Sequence, residues 1–453
     1  MSPVSALPAI AIALLALGLA YFFDRFVTFK GAAPPKHLAP LQAATHASIT
    51  SRNASIDGMR GLLALFVFLH HACIWYFSLS TGQWKIPPSY FYTHLGQSSV
   101  ALFFMITAFL FSNKLLNASG KTGDANLNST VFWQRLFVSR FMRLTPLYLL
   151  MLAAMLLLTA IVSDFQLRES WLVLLKNTGA WASFTIFGSP DLNGVTTTSR
   201  MIAGVNWTLP YEWVFYFSLP VLALLLTLLY TPFISLHQRF RSQQQGQQGR
   251  VATSWPPLVY VLFSTACLVG LYLAIFPWKP APVYFYAFAG GVFAAVLLRM
   301  KWLVNQLSGT LGSIAALLCL GYVFRHFAGA NNLPATAWLT LAFTIMASGN
   351  SLFGLLHSRA AQTLGDASYG IYLMHGLVLY TTFKLVLGTE LTAKLSVMAY
   401  WGVVMLCTVL LIPLCIMAFR WIEAPAIKSA PRLSRWLQDR ELSLTPRRAQ
   451  API

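Results

Sequence analysis

Apolar runs of about twenty residues recur along this chain of 453 residues and limit what it can fold into. A run of that length can cross a bilayer as a single helix. Only 9% of the residues are charged, whereas soluble domains carry about 25%. The sequence therefore predicts an all-α integral membrane protein, a bundle of about 10–11 transmembrane helices without a separate soluble domain. The expected spans cover residues 6–23, 59–79, 95–113, 144–163, 210–230, 257–276, 281–298, 303–324, 334–349, 368–388 and 396–419.

Charge is distributed unevenly between the two sides of this bundle. The chain has 31 basic and 12 acidic residues, a formal net charge of +19. Such an excess can indicate nucleic-acid binding, but here the basic residues lie in short loops between apolar runs. When the spans alternate, most of them fall on one side, which the positive-inside rule assigns to the cytoplasm. We therefore expect the N-terminus outside, the C-terminus in the cytoplasm and no nucleic-acid partner.

The order of the charges also predicts the organisation of the chain. The first apolar run has no Lys or Arg before it and Arg25 soon after it, the reverse of a secretory signal. We therefore expect an uncleaved, extra transmembrane helix at 1–30 and a linker at 31–54. A main membrane domain is expected at 55–430 and a basic cytoplasmic tail at 431–453.

Three segments do not fit the pattern of simple spans. Val131 to Arg143 combines aromatic residues with arginines at helical spacing, which favours an interfacial amphipathic helix. Ser170 to Gly188 is too polar for a simple span, and we expect it on the outer surface or re-entering beside the bundle. The glutamine-rich residues 243–249 are typical of a flexible linker.

The most unusual span runs from about Ser55 and carries His70 and His71 near its middle. Ionisable groups at membrane depth are costly and mark candidate functional sites. Arg60 lies eleven residues before His71, on nearly the same helix face and roughly 16 Å away along the axis. A neutral imidazole there can accept a proton, so His71 is a candidate catalytic residue; a helix–helix hydrogen bond is the structural alternative. His70 points about 100° away, and we expect it and Asp57 to be supporting residues.

A second candidate lies at the start of the next basic span. Arg140 and Arg143 are three residues apart, so they share a helix face. Two guanidinium groups on one face suit the bidentate recognition of phosphate. Simple anchoring of a span by positive charge is the equally weighted alternative.

Two further ionisable residues lie inside apolar runs. Glu212 is the single acid in an aromatic segment that opens a span, one helical turn before Tyr216. A carboxylate in such a place needs a partner or a function, so Glu212 is a candidate catalytic residue with Tyr216 in support, and a structural role stays open. His375 is a third histidine at membrane depth, and the three together predict a polar interior cavity with His375 as a supporting residue.

Several kinds of chemistry lack support in the sequence. The five cysteines lie in apolar segments without a CxxC pair, so we expect neither a disulfide framework nor a metal site. The chain has no Walker A loop, no HExxH and no GxSxG motif, which leaves ATP-driven transport, zinc proteolysis and serine hydrolysis unsupported. The cysteines are Cys73, Cys267, Cys319, Cys407 and Cys415.

The chain resembles the integral-membrane acyltransferase-3 family, whose members O-acylate carbohydrates in bacteria, in five segments that occur in the family's order. The resemblance covers about residues 52–430. This chain departs from the family at Thr107 and Ala108, where Ser-Gly is usual. The segments are SIDGMRGLLALFVFLHH, LFFMITAFLFSNKLL, RFMR, NWTLPYEWVFYFSLP and ASYGIYLMH.

The resemblance implies a multi-pass protein of the bacterial inner membrane, surrounded by membrane lipid, that uses acyl-CoA as its donor substrate and binds no cofactor. Acetyl-CoA is the expected donor. Arg60, Arg140 and Arg143 would hold the phosphates of the donor. His71 would act as a general base or become transiently acylated, and Glu212 would orient or activate the acceptor.

The implied acceptor is a hydroxyl group of an envelope carbohydrate. Several family members carry a fused extracytoplasmic domain after the last span; if the activity of this chain needs such a domain, a separate periplasmic acyl-transfer partner would supply it. The alternative is a proton-coupled transporter or flippase of a glycan or lipid-linked substrate, in which the histidines and Glu212 would form a proton relay.

Overall fold

A computed structural model of the chain describes residues 2–27, 45–119, 121, 123–242, 255–272 and 280–444. These residues contain no β-strand, and a single isolated bridge joins Leu192 and Val195. The helices are α1 (Ala6–Phe26), α2 (Thr45–Thr81), α3 (Tyr90–Ala118), α4 (Thr130–Val162), α5 (Trp171–Ala182), α6 (Thr208–Ser242), α7 (Leu258–Tyr272), α8 (Val283–Leu297), α9 (Lys301–Leu307), α10 (Thr310–His326), α11 (Leu333–Ala347), α12 (Arg359–Asp366), α13 (Ser368–Tyr380), α14 (Gly388–Ala393), α15 (Val397–Ala418) and α16 (Ala424–Leu444).

Many of these helices are suited to a bilayer. Among the described residues, six helices are long and apolar enough to cross a membrane, and α8 with α9, bent by 110°, would make a seventh span. The apolar helices α7, α10 and α11 are shorter. Large apolar side chains face outward, such as Leu311 at 80% and Met398 at 72% exposure, as expected of a surface in contact with lipid. The prediction of an all-α, multi-pass membrane protein is confirmed, and each expected span coincides with at least one helix.

Helix α2 is central to the packing, because it contacts α3, α11, α12 and α13. Its closest approach is to α12. A Cβ atom added to Gly61 would lie 2.5 Å from the backbone nitrogen of Gly365, and one added to Gly365 would overlap the Asp57 carbonyl group. Small residues at such points let helices pack backbone to backbone. Helix α1 packs against α12 and α15, so the extra N-terminal helix is joined to the rest of the bundle.

The segment Val131 to Arg143, for which we expect an interfacial helix, is not a separate helix. This segment is the first part of α4, which continues without a break to Val162. Pro146 lies inside α4 without ending it. The start of the helix is anchored by Trp133, which is fully buried and donates from Nε1 to the Leu127 carbonyl oxygen at 2.8 Å. The amphipathic and the apolar parts therefore differ in their surroundings and not in their backbone conformation.

The chain between α5 and α6 enters the interior of the protein. Helix α5 leaves Trp171 67% exposed, whereas Ile202 further along the chain is fully buried. A Cβ atom added to Gly376 of α13 would overlap the backbone of Ile202, so the two segments are in direct contact. Asn193 fixes the segment by donating from Nδ2 to Ser163 Oγ at 2.9 Å. Irregular backbone inside a membrane protein has to be buried in this way or line a cavity, and as a result α6 begins inside the bundle.

Some of the expected segments fall outside the described residues. These are most of the linker at 31–54 and all of the glutamine-rich segment 243–249, although α2 already begins at Thr45. The tail expected at 431–453 is helical as far as Leu444 and lies outside the described residues beyond it.

We expect Gly61→Leu to destabilise the protein, because the new side chain would push α12 away from α2 where they are closest. Overpacking typically costs about 1–3 kcal/mol. Gly402→Leu in α15 is the matched control, because nothing lies within 4 Å of an added Cβ atom there. The melting temperature of detergent-purified protein should fall for Gly61→Leu only. Equal melting temperatures for the two variants would contradict the close packing of α2 on α12.

Candidate active site

Three arginines from two helices face a single cavity. Arg60 comes from α2, and Arg140 and Arg143 come from the first part of α4. The cavity has a volume of about 200 Å³, and we call it the central cavity. Its other polar lining residues are Thr107, Thr208, Glu212, Tyr216, Ser368, Tyr369 and Tyr372.

Negative charge in and around the central cavity compensates part of this positive charge. Arg60 forms an ion pair with Asp57, one helical turn earlier, at 3.8 Å. Glu212 accepts a hydrogen bond of 2.8 Å from the hydroxyl group of Tyr216. Tyr216 thus holds the one carboxylate among the cavity-lining residues.

Arg140 contacts an aromatic ring as well as the polar groups of the cavity. Its guanidinium carbon lies 5.1 Å from the ring centre of Phe111, within the range of a cation–π interaction. Its buried Nε atom has no hydrogen-bond partner among the described residues. With Arg143 and Arg60, the cavity presents more guanidinium groups than carboxylates, which favours the binding of an anion with several oxygen atoms.

A further carboxyl group next to the cavity titrates close to neutral pH. Asp366 at the end of α12 is exposed at the surface, and the partial desolvation of its carboxyl group by the neighbouring protein raises its pKa to about 6. The nearby Asp57 carboxylate adds to the rise, while Arg60, Arg143 and Arg420 oppose it. Protonation of Asp366 below pH 6 would leave this end of the bundle more positive.

His71 and His375 are 304 residues apart in the sequence and form a hydrogen-bonded pair, which we call the histidine pair. The Nε2 atom of His375 lies 3.1 Å from the Nδ1 atom of His71. The Nδ1 atom of His71 is also 3.0 Å from the Val67 carbonyl oxygen. The Nδ1 atom of His375 is 2.9 Å from the Ile371 carbonyl oxygen. Each ring is thus held by a carbonyl group one turn earlier in its own helix.

These contacts assign the protons of the histidine pair. A carbonyl oxygen only accepts hydrogen bonds, so Nδ1 of His375 carries a proton and its Nε2 presents a lone pair. Because this lone pair faces Nδ1 of His71, that atom must carry a proton. The N–H group then donates to both His375 Nε2 and the Val67 carbonyl oxygen. A neutral His71 therefore has its lone pair on Nε2. This atom is the one needed for a general base or a nucleophile.

The surroundings of the two adjacent histidines differ. Nδ1 of His70 lies 2.7 Å from the Tyr92 carbonyl oxygen, and its ring packs closely against Gly96. His70 therefore joins α2 to α3, which fits the supporting role expected for it. His71 is partly exposed and stacks on Trp84 in the connection between α2 and α3, with ring centres 6.4 Å apart and planes inclined by 19°.

The predicted residues fall into two neighbouring groups, which we call the two compartments: the central cavity with its lining, and the histidine pair with the side chains around it. His71 is not among the residues that line the central cavity. Tyr372 connects the two, because it lines the cavity and its ring centre lies 6.4 Å from that of His375. Its hydroxyl group is held by Thr208 Oγ1 at 2.8 Å. Glu212 lies among the arginines, because α6 begins inside the bundle.

Sequence reasoning missed three residues that border these compartments. Tyr372 lies three residues before His375, and helical spacing could have placed both on one face. Glu423 is fully buried after α15, and its carboxylate oxygens have no hydrogen-bond partner among the described residues. An acid at the end of an apolar run was a readable signal. Trp84 lies in a connection between helices and gave no signal.

An arginine-rich cavity beside a hydrogen-bonded histidine pair gives this helical membrane protein groups that can bind an anion and accept a proton. A model of the acyltransferase-3 family, described as an acyltransferase domain, matches residues 53–420. The chain belongs to this family, and it is a membrane acyltransferase. No curated protein and no solved structure matches it.

We expect nitrogen NMR of histidine-labelled protein in lipid vesicles to find both rings of the histidine pair protonated on Nδ1 at neutral pH. The reason is that a carbonyl group faces Nδ1 of each ring. Signals are assigned by their loss in His71→Asn and His375→Asn. The exposed His326 is the internal control, because imidazole in water favours the proton on Nε2. A proton on Nε2 of either paired ring would contradict the assignment.

Proposed function

We propose that this acyltransferase moves an acyl group, expected to be acetyl, from cytoplasmic acyl-CoA to a hydroxyl group of an envelope carbohydrate. The proposal rests on one observation above all. The histidine pair lies next to the arginine-lined central cavity, with Tyr372 adjacent to both. Acyl-CoA is a substrate in this scheme, and no bound cofactor is needed.

The arginines support the binding of the donor. Coenzyme A carries several phosphate groups, and guanidinium groups bind phosphate through paired, charge-assisted hydrogen bonds. Arg60, Arg140 and Arg143 line the cavity together, so they could contact neighbouring phosphate oxygens of one donor. The acyl arm would then extend past Tyr372 towards the histidine pair.

His71 supports two routes for the transfer. As a general base, its Nε2 removes the proton from the acceptor hydroxyl group as the oxygen attacks the thioester carbon. The carbon–sulfur bond then breaks, and the sulfur leaves as a thiol after taking the proton back from the imidazolium ion. As a nucleophile, Nε2 attacks the thioester carbon, the carbon–sulfur bond breaks, and coenzyme A leaves as a thiolate. The acceptor oxygen then attacks the acyl carbon, the bond to Nε2 breaks, and the freed imidazole takes up the hydroxyl proton and passes it to the thiolate.

His375 would serve both routes as a positioning residue. Its Nε2 accepts the Nδ1 proton of His71 at 3.1 Å and so keeps the reactive lone pair on the opposite nitrogen. A second ring in this position also stabilises the positive charge that His71 acquires during either route. The role resembles that of the carboxylate that orients histidine in hydrolytic triads.

Glu212 is best assigned to the donor side of the site. The sequence predicts that it orients or activates the acceptor, but its contacts are with Tyr216 and the arginine-lined cavity. We propose that it keeps the guanidinium groups apart and oriented while the cavity is empty. His71 and its neighbour Trp84 would then meet the acceptor.

The proposal includes a topology. The arginine end of the bundle faces the cytoplasm, where acyl-CoA is made, and the N-terminus lies on the opposite side of the bacterial inner membrane. The carbohydrate acceptor would reach the exposed side of His71, directly or through a separate periplasmic partner. The uneven distribution of basic residues supports this orientation.

We expect His71→Ala to lower acyl transfer by about 10²–10⁴-fold, the usual contribution of a positioned acid–base group. Mass spectrometry of surface glycans from cells that carry the variant measures the effect. His326→Ala is the matched control, because His326 is exposed and lies outside both compartments. Normal acylation by His71→Ala, in cells where the protein accumulates in the membrane, would contradict the proposal. Flux of substrate driven by a pH gradient without acyl-CoA would indicate the transporter instead.

We expect Arg143→Lys to raise the KM for acyl-CoA about tenfold while kcat changes by less than about twofold. Lysine keeps the positive charge but loses the planar, bidentate hydrogen-bonding group. If Arg143 binds the donor equally in the ground state and the transition state, its loss raises KM and leaves kcat unchanged. Initial rates in membrane vesicles with added envelope material provide the measurement. Arg435→Lys in α16 is the control, because Arg435 is exposed. A fall in kcat with KM unchanged would argue against donor binding by Arg143.

A further inference from the structure

The central cavity is too small to hold a whole acyl-CoA molecule. Its volume of about 200 Å³ is below the roughly 300–1,000 Å³ of pockets that enclose a complete ligand. The donor proposed above would therefore extend beyond it. The part left outside is the adenosine end, which carries a phosphomonoester and a diphosphate.

A second, larger pocket adjoins the cavity on the side of the arginines. It has a volume of about 480 Å³ and lies between the end of α3 and the start of α4. We call it the basic pocket, because Lys114, Lys121 and Arg135 line it and Asp124 is the one acid among its lining residues. Phe132 and the amide side chains of Asn113 and Asn117 complete its polar and aromatic surface.

One face of α3 leads from the central cavity into the basic pocket. Thr107, Leu110 and Phe111 line the cavity, and Leu110 and Lys114 line the pocket. Leu110 is therefore shared by both. Thr107, Leu110 and Lys114 are three and four residues apart and so lie along a single stripe of the helix. An elongated ligand could lie along this stripe and contact the protein in both the cavity and the pocket.

The basic pocket has the chemistry of a phosphate site with a place for a flat ring. Lys114 and Lys121 are exposed, and the Lys114 ammonium group lies 5.8 Å from the ring centre of Phe132. Arg135 is paired with Asp124 at 3.3 Å, with side chains 47% and 65% exposed. Such an exposed pair contributes little to stability, so Arg135 can exchange this partner for a phosphate group.

We propose that the basic pocket binds the adenosine end of acyl-CoA, with Lys114, Lys121 and Arg135 on its phosphomonoester and the two asparagines beside the base. This inference rests on the proposed function and adds a second anchoring point to the donor. The arginines of the central cavity then hold the diphosphate, and the arm reaches the histidine pair. The phosphate of an anionic lipid headgroup has the same charge chemistry, so the experiment has to separate the two sources.

Lysine footprinting of the wild-type protein tests the pocket. Reductive methylation of the protein in phosphatidylcholine vesicles is followed by mass spectrometry, with and without coenzyme A. We expect coenzyme A to slow the methylation of Lys114 and Lys121 at least fivefold and to leave the exposed Lys301 unchanged. Pantetheine, which lacks the adenosine end, should protect neither lysine. Protection by phosphatidylglycerol in the vesicles, which coenzyme A does not increase, would assign the pocket to lipid and overturn the proposal.

Calorimetry provides the second measurement. We expect Lys121→Gln/Arg135→Gln to raise the Kd for coenzyme A about tenfold or more and the Kd for pantetheine less than twofold. The control Lys301→Gln/Arg432→Gln removes the same charge from exposed positions outside both cavities and should change neither. An equal loss for both ligands would overturn the pocket assignment and leave the proposed function intact. No binding of coenzyme A to the wild-type protein would instead refute acyl-CoA as the donor, and with it both proposals.

Discussion

Repulsion among guanidinium groups inside an apolar bundle is the constraint on which the site depends. Arg60, Arg140 and Arg143 line one small cavity, and like charges repel one another strongly in an apolar environment unless water or opposite charge compensates them. The protein compensates in part, with Asp57 paired to Arg60 and Glu212 held by Tyr216. The remaining positive charge is available for a ligand. A multiply charged donor such as acyl-CoA would complete the balance, which links the stability of the empty site to its proposed use.

Helix α2 connects the central cavity to the histidine pair. It carries Arg60 near the cavity and His71 about three turns further along. Its glycines allow α12 to approach at backbone distance, and α13 follows α12 after a single residue. This close packing brings His375 within 3.1 Å of His71. The geometry of the histidine pair therefore depends on a contact between Gly61 and Gly365, far from the two rings, and a displacement of α12 would change the distance between the rings.

The buried chain between α5 and α6 determines where α6 begins. Because Ile202 packs against Gly376, the connection from α5 penetrates the bundle and α6 starts at its interior. Thr208 at that start holds the hydroxyl group of Tyr372, and Glu212 one turn later reaches the arginines. Had α6 begun at the surface, as its aromatic sequence indicates, Glu212 would have lain away from the cavity. The irregular backbone that makes this placement possible is stabilised by side chains such as Asn193.

The sequence alone determined the features that depend on the order of residues within one segment. Apolar length specified the spans, the five ordered motifs indicated the family, and helical spacing paired Arg140 with Arg143. Costly charges in apolar runs marked His71, His375 and Glu212 as residues to examine. Only the tertiary structure decided which of them meet. It joined His71 to His375, placed Glu212 with the arginines, merged the basic segment with α4 and opened the basic pocket beside Lys114. The physical reason is that periodicity reports one helix at a time, whereas contacts between helices depend on where glycines permit close approach and where the chain re-enters the bundle.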